Sequence, residues 1–272
     1  MYPRKEKKMT PITLLFVPAK AKPLTNLPIQ SAESYILDLE DSIEPSDKPY
    51  ALTRVTTFLT QYAGDQQIYV RLNQSTLEKE AKHLDQFPTT GFMIPKFENV
   101  DNFSQDTLDI WKRHKIIALI ETPRGIVDID KIAACDWIDA IALGAEDYTA
   151  AMNMENSIQT LAFAKSRLVT YAKAYGKKVY DTPSLHLNDE PQLKLETQNA
   201  VSLGFDGKLA IHPKQLPIIQ SLFRNHNINI EEMKRIVALY EKEGKAVLTI
   251  DNRIYEKMHI NRMKKIIKEQ EE

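Results

Sequence analysis

Ile-Ile-Ala-Leu-Ile-Glu-Thr-Pro at residues 116–123 and Ala-Ile-Ala-Leu-Gly-Ala-Glu-Asp at residues 140–147 are the two stretches whose reading decides the fold. Each opens with a short apolar run, the mark of a strand buried on both faces, and then breaks into an acidic segment. Glu121 and Asp147 therefore emerge where two neighbouring strands end. Two carboxylates so placed suit Mg²⁺, a hard cation that takes one or two carboxylates and leaves its other positions to water and an oxygen-rich substrate. The competing reading, two solvated loop acids, does not account for their matching strand-end contexts.

Working outward, similar runs recur at residues 12–17, 35–39, 68–72, 91–94, 178–180 and 209–211, bringing the strands to eight. Helical spacing lies between them. Residues 157–175 place Leu161, Leu168, Val169 and Ala172 on one face and end at Gly176, and residues 191–203 end at Gly204, glycine being a favoured helix terminator. The first connection, 19–33, is proline-rich with little helical pattern. Eight strands with crossovers in roughly 220 residues predict an α/β fold, a (β/α)₈ TIM barrel over residues 1–224, rather than an open doubly wound sheet. Helices are expected at 213–224 and 230–243, then a link at 245–251 and a last helix from about residue 256. Residues 225–272 thus form a C-terminal helical extension, read as a lid over the barrel mouth or as an oligomer arm.

A barrel of this kind carries its chemistry on the loops that follow the strands. Polar residues sit there throughout: Glu40 and Asp41, Arg71 and Asn73, Lys96, Glu121, Glu146 and Asp147, Asp181, and His212. The 272 residues are 43% hydrophobic and 27% charged, an ordinary globular balance. With 36 Lys and Arg against 37 Asp and Glu, a net charge of -1 argues against nucleic acid and for a small-molecule partner. A lone cysteine, Cys135, allows no internal disulfide, which points to a reducing, cytoplasmic setting, and its apolar surroundings predict an inert thiol. Residues 11–18 are too short for a signal peptide or a membrane span. With 8 glycines and no glycine-rich phosphate loop, nicotinamide and ATP chemistry are not indicated.

Seven motifs occur in one order: Leu-Phe-Val-Pro at 15–18, Asp-Leu-Glu-Asp-Ser at 38–42, Val-Arg-Leu-Asn at 70–73, Ile-Pro-Lys at 94–96, Ile-Glu-Thr-Pro at 120–123, Leu-Gly-Ala-Glu-Asp-Tyr at 143–148 and Gly-Lys-Leu-Ala-Ile-His-Pro at 207–213. Together they resemble the citrate lyase beta-subunit-like branch of the HpcH/HpaI aldolase family, which includes malyl-CoA and citramalyl-CoA lyases. The resemblance implies a (β/α)₈ barrel, a homotrimer or hexamer, and a Mg²⁺-dependent carbon–carbon lyase, with Mn²⁺ as a substitute. It assigns Glu121 and Asp147 as metal ligands, Arg71 as the group that steadies substrate carboxylate or enolate, and Glu40 and Asp41 as the acids that hold metal-bound waters and the substrate end. From the residues alone, Arg71 can also be an ion-pair partner of Glu40 or Asp41, and inside a barrel mouth the two roles are compatible. The implied substrate is a small 3-hydroxy acid or its coenzyme A thioester, yielding a 2-oxo acid. Alternatives are a thioesterase on a malyl-type thioester and a carrier-dependent subunit of a larger complex.

The chain departs from the family pattern in three places. Ile12 and Thr13 stand where an arginine that helps hold coenzyme A is usual, and Ala19 replaces a glycine. Lys20 and Lys22 are the candidates left for the coenzyme A phosphates. The first connection is short. In the tail, Glu256 takes the place of the family's lid aspartate, one methylene longer. His212 is expected to line the site or to be a hydrogen-bonded strand-end histidine.

Overall fold

In the computed structural model, which describes residues 11–20, 24, 32–225 and 230–271, eight parallel strands close on themselves in sequence order. They are β1 (Thr13–Pro18), β2 (Ser34–Asp38), β3 (Gln67–Arg71), β4 (Thr90–Ile94), β5 (Ile116–Ile120), β6 (Ala140–Leu143), β7 (Lys178–Asp181) and β8 (Gly207–Ala210). Helices follow the strands, and pairing of Thr13, Leu14 and Leu15 with Lys208, Leu209 and Ala210 shuts the ring. This is the expected (β/α)₈ TIM barrel. The connection at 19–33 lies largely outside the described residues.

Strand alternation sorts the side chains into two cores. Leu14, Phe16, Ile36, Tyr69, Met93, Ile117, Leu119, Ala140, Ala142, Tyr180 and Leu209 form one cluster inside the barrel. Residues of the other parity, such as Leu15, Val17, Leu37, Val70, Ile94 and Ile141, pack against the helices. Two steps beyond the last interior residue of a strand, the side chain still points along the barrel axis but clears the core. Asp38, Arg71, Glu121, Gly144, Thr182 and Ile211 all occupy that position. The site therefore stands on the interior cluster.

The strand expected at 209–211 begins earlier, at Gly207, because a lysine is built into it. Lys208 is fully buried with Nζ 2.7 Å from Asp181 Oδ2, and Lys165 Nζ, from the helix Ala162–Ala174, lies 2.9 Å from Asp181 Oδ1. Burial alone would push the Asp181 carboxyl up; the two ammonium groups outweigh it and hold it below the ordinary value.

A second compact unit spans Arg224–Glu272. Its helices Ile230–Glu243 and Lys257–Glu271 gather a small core of Ile236, Val237 and Ile260, with Tyr240, Ile250, Tyr255 and Met263 against it. Where a link is expected at 245–251 the structure instead makes an antiparallel hairpin of β9 (Val247–Ile250) and β10 (Arg253–Glu256). Asp251 and Asn252 form its two-residue turn, with φ of 48° and 60°. Such turns need two left-handed residues, and here an Asp-Asn pair supplies them without a glycine. No helix among the described residues is long and apolar enough to cross a membrane.

Candidate active site

A cavity of about 470 Å³ opens at the C-terminal ends of the strands, walled by Asp38, Asp41, Arg71, Glu121, Glu146 and Asp147 on one side and by Phe16, Leu185, Leu209 and Ile211 on another. A larger one, about 700 Å³, lies at the opposite barrel end beside Lys112, Arg113 and Lys115. Those three cations are already paired, with Asp109, Asp85 and Asp139.

Register brings Arg71 to Asp38. The two are Cα partners across β2 and β3, and both point inward. Arg71 Nε donates to Asp38 Oδ1 and Nη2 to Oδ2, each at 2.7 Å, a bidentate pair buried at both ends. Nη1 donates to Asp41 Oδ2 at 2.9 Å and stands 3.6 Å from Glu40 Oε2. The guanidinium also lies over the Phe16 ring, 5.0 Å from its centroid. Asp38 further accepts the backbone N–H groups of Glu40 and Ser42 at 3.0 Å. One carboxylate thus fixes both the arginine and the loop that carries the other two acids. Burial alone would push the Asp38 carboxyl up, but Arg71 and these donors hold it below 3.8.

Glu121 and Asp147 meet through Lys96. Ile120 and Leu143 are Cα partners, so Glu121 and Gly144 top adjacent strands. A Cβ on Gly144 would lie 2.5 Å from Glu121 Oε2, so only glycine leaves the carboxylate its place. Asp147 sits in the first turn of the helix Ala145–Met152 that follows, and Ala145 N–H donates to Thr182 Oγ1 at 3.2 Å. Lys96 has φ of 46°, a left-handed conformation rare outside glycine and asparagine, and strain of this kind collects at functional sites. In that conformation its N–H donates to Glu121 Oε1 at 2.8 Å and its Nζ lies 3.1 Å from Asp147 Oδ2.

Burial pushes Glu121 up to about 8; the Lys96 N–H pulls it back, and Glu40 and Asp147 add repulsion. Burial likewise raises Glu40 to about 7, with Arg71 opposing and Asp41 reinforcing. Glu40 Oε2 is buried and accepts no hydrogen bond. Acids in such surroundings favour a cation that can join them, and every donor here is oxygen. Among the described residues no three His, Cys, Asp or Glu side chains gather as a metal-binding group. An all-oxygen donor set suits Mg²⁺, which takes one or two carboxylates, rather than a thiolate or imidazole metal.

Residues 13–213 match the family described as HpcH/HpaI aldolase/citrate lyase. The chain belongs to this family. It is a family of lyases, and the expected resemblance is confirmed. The citrate lyase subunit beta of Haemophilus influenzae is 28% identical over 277 residues, covering 94% of this chain and 95% of that protein. A (3S)-malyl-CoA thioesterase of Cereibacter sphaeroides is 27% identical over 263 residues, 91% of this chain and 90% of that one. Among solved structures, the citrate lyase beta subunit of M. tuberculosis complexed with oxaloacetate and magnesium shares 27% identity with a TM-score of 0.67, covering 80% of this chain and 98% of that chain.

The other sequence candidates of this aldolase/citrate lyase family member have the following local settings. Lys20 is half-buried just past β1, its N–H donating to Pro18 O at 2.7 Å, and Lys22 lies outside the described residues. His212 is half-buried and its Nδ1 accepts from Lys214 N–H at 3.1 Å, the strand-end alternative. Glu256 ends β10 in the second unit and is exposed. Cys135 is half-buried after the helix Ile129–Ala133, and burial raises its thiol. Sequence reasoning gave no role to Asp38, nor to Gly144 or Thr182. The even spacing of Ile36, Asp38 and Glu40 was the signal that all three share the interior face.

Proposed function

We propose that the protein is a Mg²⁺-dependent carbon–carbon lyase that cleaves a small 3-hydroxy acid, or its coenzyme A thioester, to a 2-oxo acid and an acyl fragment. What carries this reading is the pair Glu121 and Asp147, set at the tops of adjacent strands and joined through the two ends of Lys96. These two carboxylates would hold the ion, with Mn²⁺ able to replace it. When bound, the cation polarises the carboxylate and ketone oxygens of the 2-oxo acid portion as a Lewis acid.

The chain's own groups do the rest. As the carbon–carbon bond breaks, the substrate hydroxyl gives up a proton and the bonding pair passes to the departing acyl fragment as an enolate, which then takes up a proton. Glu40 is the group suited to hold that proton at Oε2, since a carboxyl raised to about 7 gains and loses it near neutrality. Arg71, anchored by Asp38 through Nε and Nη2, offers its Nη1 edge and its positive field to the developing charge. Asp41 shares that edge and orients it. The interior cluster beneath excludes water from below.

The test is a panel of 3-hydroxy acids and thioesters incubated with Mg²⁺ and assayed for released pyruvate, glyoxylate or oxaloacetate, alongside calorimetric titration of Mg²⁺. Wild type should bind the ion, and Glu121→Gln and Asp147→Asn should not while remaining folded. Undiminished affinity in both variants removes these residues from the site. The Cereibacter relative supports a second reading, hydrolysis of a malyl-type thioester. Free thiol appearing without any 2-oxo acid would select it.

A further inference from the structure

The acids at the tops of β5 and β6 already have a cation of their own. Lys96 follows β4, and its left-handed backbone aims one residue two ways: the N–H at Glu121 Oε1, 2.8 Å away, and the ammonium at Asp147 Oδ2, 3.1 Å away. Among the described residues no other ammonium or guanidinium is ion-paired with Asp147, and none with Glu121. Arg71 nearby is engaged with Asp38 and Asp41. The Lys96 charge also acts on Glu40 and Glu121, and Glu40 Oε2 is buried without a hydrogen bond. One ammonium thus answers three carboxylates, and a divalent ion held by Glu121 and Asp147 would answer the same three. The two cations cannot share Asp147, because like charges side by side in a partly buried site repel strongly. The side chains of Lys96 and Asp147 are 32% and 42% exposed, so the flexible stem of the lysine has solvent to turn into without disturbing the backbone contact on Glu121.

We propose that Lys96 is the place-holding cation of this site: its ammonium offsets the acids while the ion is absent and leaves Asp147 for solvent when the ion binds, while its N–H stays on Glu121. The inference rests on the metal site proposed above and adds to it a residue that sets the affinity for the ion. Without metal, the ammonium holds Asp147 and lessens the repulsion among Glu40, Glu121 and Asp147, so the empty site keeps its shape. Binding of the ion must break that pair, and part of its attraction to the carboxylates is offset by the charge it displaces. A neutral side chain at this position therefore loosens the metal-free protein and tightens the ion, whereas a lysine that merely braced the ligands would weaken the ion when removed. Asparagine tolerates the left-handed backbone, so Lys96→Asn removes the ammonium and keeps the N–H on Glu121.

Calorimetric titration of the full chain with Mg²⁺, no substrate present, should show Lys96→Asn binding at least about threefold tighter than wild type. Lys96→Arg keeps the charge and should stay closer to wild type than to Lys96→Asn. Without metal the melting temperature of Lys96→Asn should fall, and its rise at saturating Mg²⁺ should exceed that of wild type. The exchange itself is read on the unmodified chain by brief acylation with acetic anhydride and mass spectrometry, so it is measured even if Lys96→Asn fails to fold. Lys96 should react at least about threefold faster at saturating Mg²⁺ than without it, because an amine released from a carboxylate gives up its proton more readily. Lys112, paired with Asp109 at the opposite barrel end, should react equally in both. Equal or slower acylation of Lys96 in Mg²⁺ overturns the exchange, as does Mg²⁺ binding by folded Lys96→Asn that is no tighter than wild type. With wild-type Mg²⁺ binding intact, either result leaves the lyase reading standing. Absence of Mg²⁺ binding by wild type overturns both.

Discussion

Replacing Asp38 by asparagine probes the contact on which the rest of the mouth depends. The carboxylate accepts four hydrogen bonds: Arg71 Nε and Glu40 N–H on Oδ1, Arg71 Nη2 and Ser42 N–H on Oδ2. Asparagine keeps one acceptor oxygen and turns the other into an NH₂ group that faces two donors. One arginine bond and one backbone bond are lost, whichever way the amide lies. A charge-assisted bond is worth about 1.5–3 kcal/mol and an orphaned buried amide about 1–3 kcal/mol. The result agrees with the roughly 3–5 kcal/mol for breaking a buried pair from one side. Asp41, 58% exposed at its side chain, cannot take over the arginine. At about 2–4 °C per kcal/mol for a chain of this size, the melting temperature should fall by roughly 6–20 °C. The pH dependence has a definite sign. A carboxyl depressed on folding contributes stability that is complete above its unfolded value, 3.8, and lost as pH falls through the lower folded one. Wild type should therefore lose stability below pH 3.8 along a limb that Asp38→Asn lacks. Arg71→Lys should be nearly as damaging as Arg71→Ala, because an ammonium cannot replace the planar fork on Asp38. A loss below about 1 kcal/mol in Asp38→Asn would show that Arg71 is not held in this way.

How far the sequence carries the reading depends on whether a feature is local or pairwise. The strands before Glu121 and Asp147 are legible because a parallel barrel strand is buried on both faces and reads as an unbroken apolar run. Gly176 and Gly204 announce their helix ends, and both have positive φ. Asp38 is hidden because it closes such a run and looks like its polar edge. Its meaning appears only when register sets it opposite Arg71. Lys96 carries no sign of a left-handed backbone, and its two contacts join β4 to the ends of β5 and β6. Lys165 and Lys208 read as surface charges, yet both are buried on Asp181, three residues far apart in the chain. Asp251-Asn252 lacks the glycine that usually marks a hairpin, so a strand pair reads as a link. In each case the missing information lies in a partner rather than in the residue.

Gly144→Ala should weaken Mg²⁺ at least about tenfold by calorimetry, since its Cβ would lie 2.5 Å from Glu121 Oε2 and 2.7 Å from Glu121 Cβ; unchanged affinity would detach Glu121 from the ion. Mg²⁺ affinity should also rise with pH between 6 and 8 and level off above, because Glu121, raised to about 8 by burial, must lose its proton to bind a cation. A flat profile would argue against it as a ligand. The last test concerns Asp181, whose single charge stands between Lys165 and Lys208 and leaves the buried trio at net +1. Asp181→Asn raises that to +2 with no anion present and should cost about 3–5 kcal/mol in unfolding measurements, whereas the double variant Asp181→Asn, Lys208→Met, which removes one of the two uncompensated buried charges as well, should recover part of it. Because the Asp181 carboxyl is held below its ordinary value, its stabilisation is present above pH 3.8 and fades as pH falls through the folded value, so wild type and Asp181→Asn should converge in acid. Parallel curves down to the acid transition would mean that Asp181 is not the anion that holds the two lysines in the barrel wall.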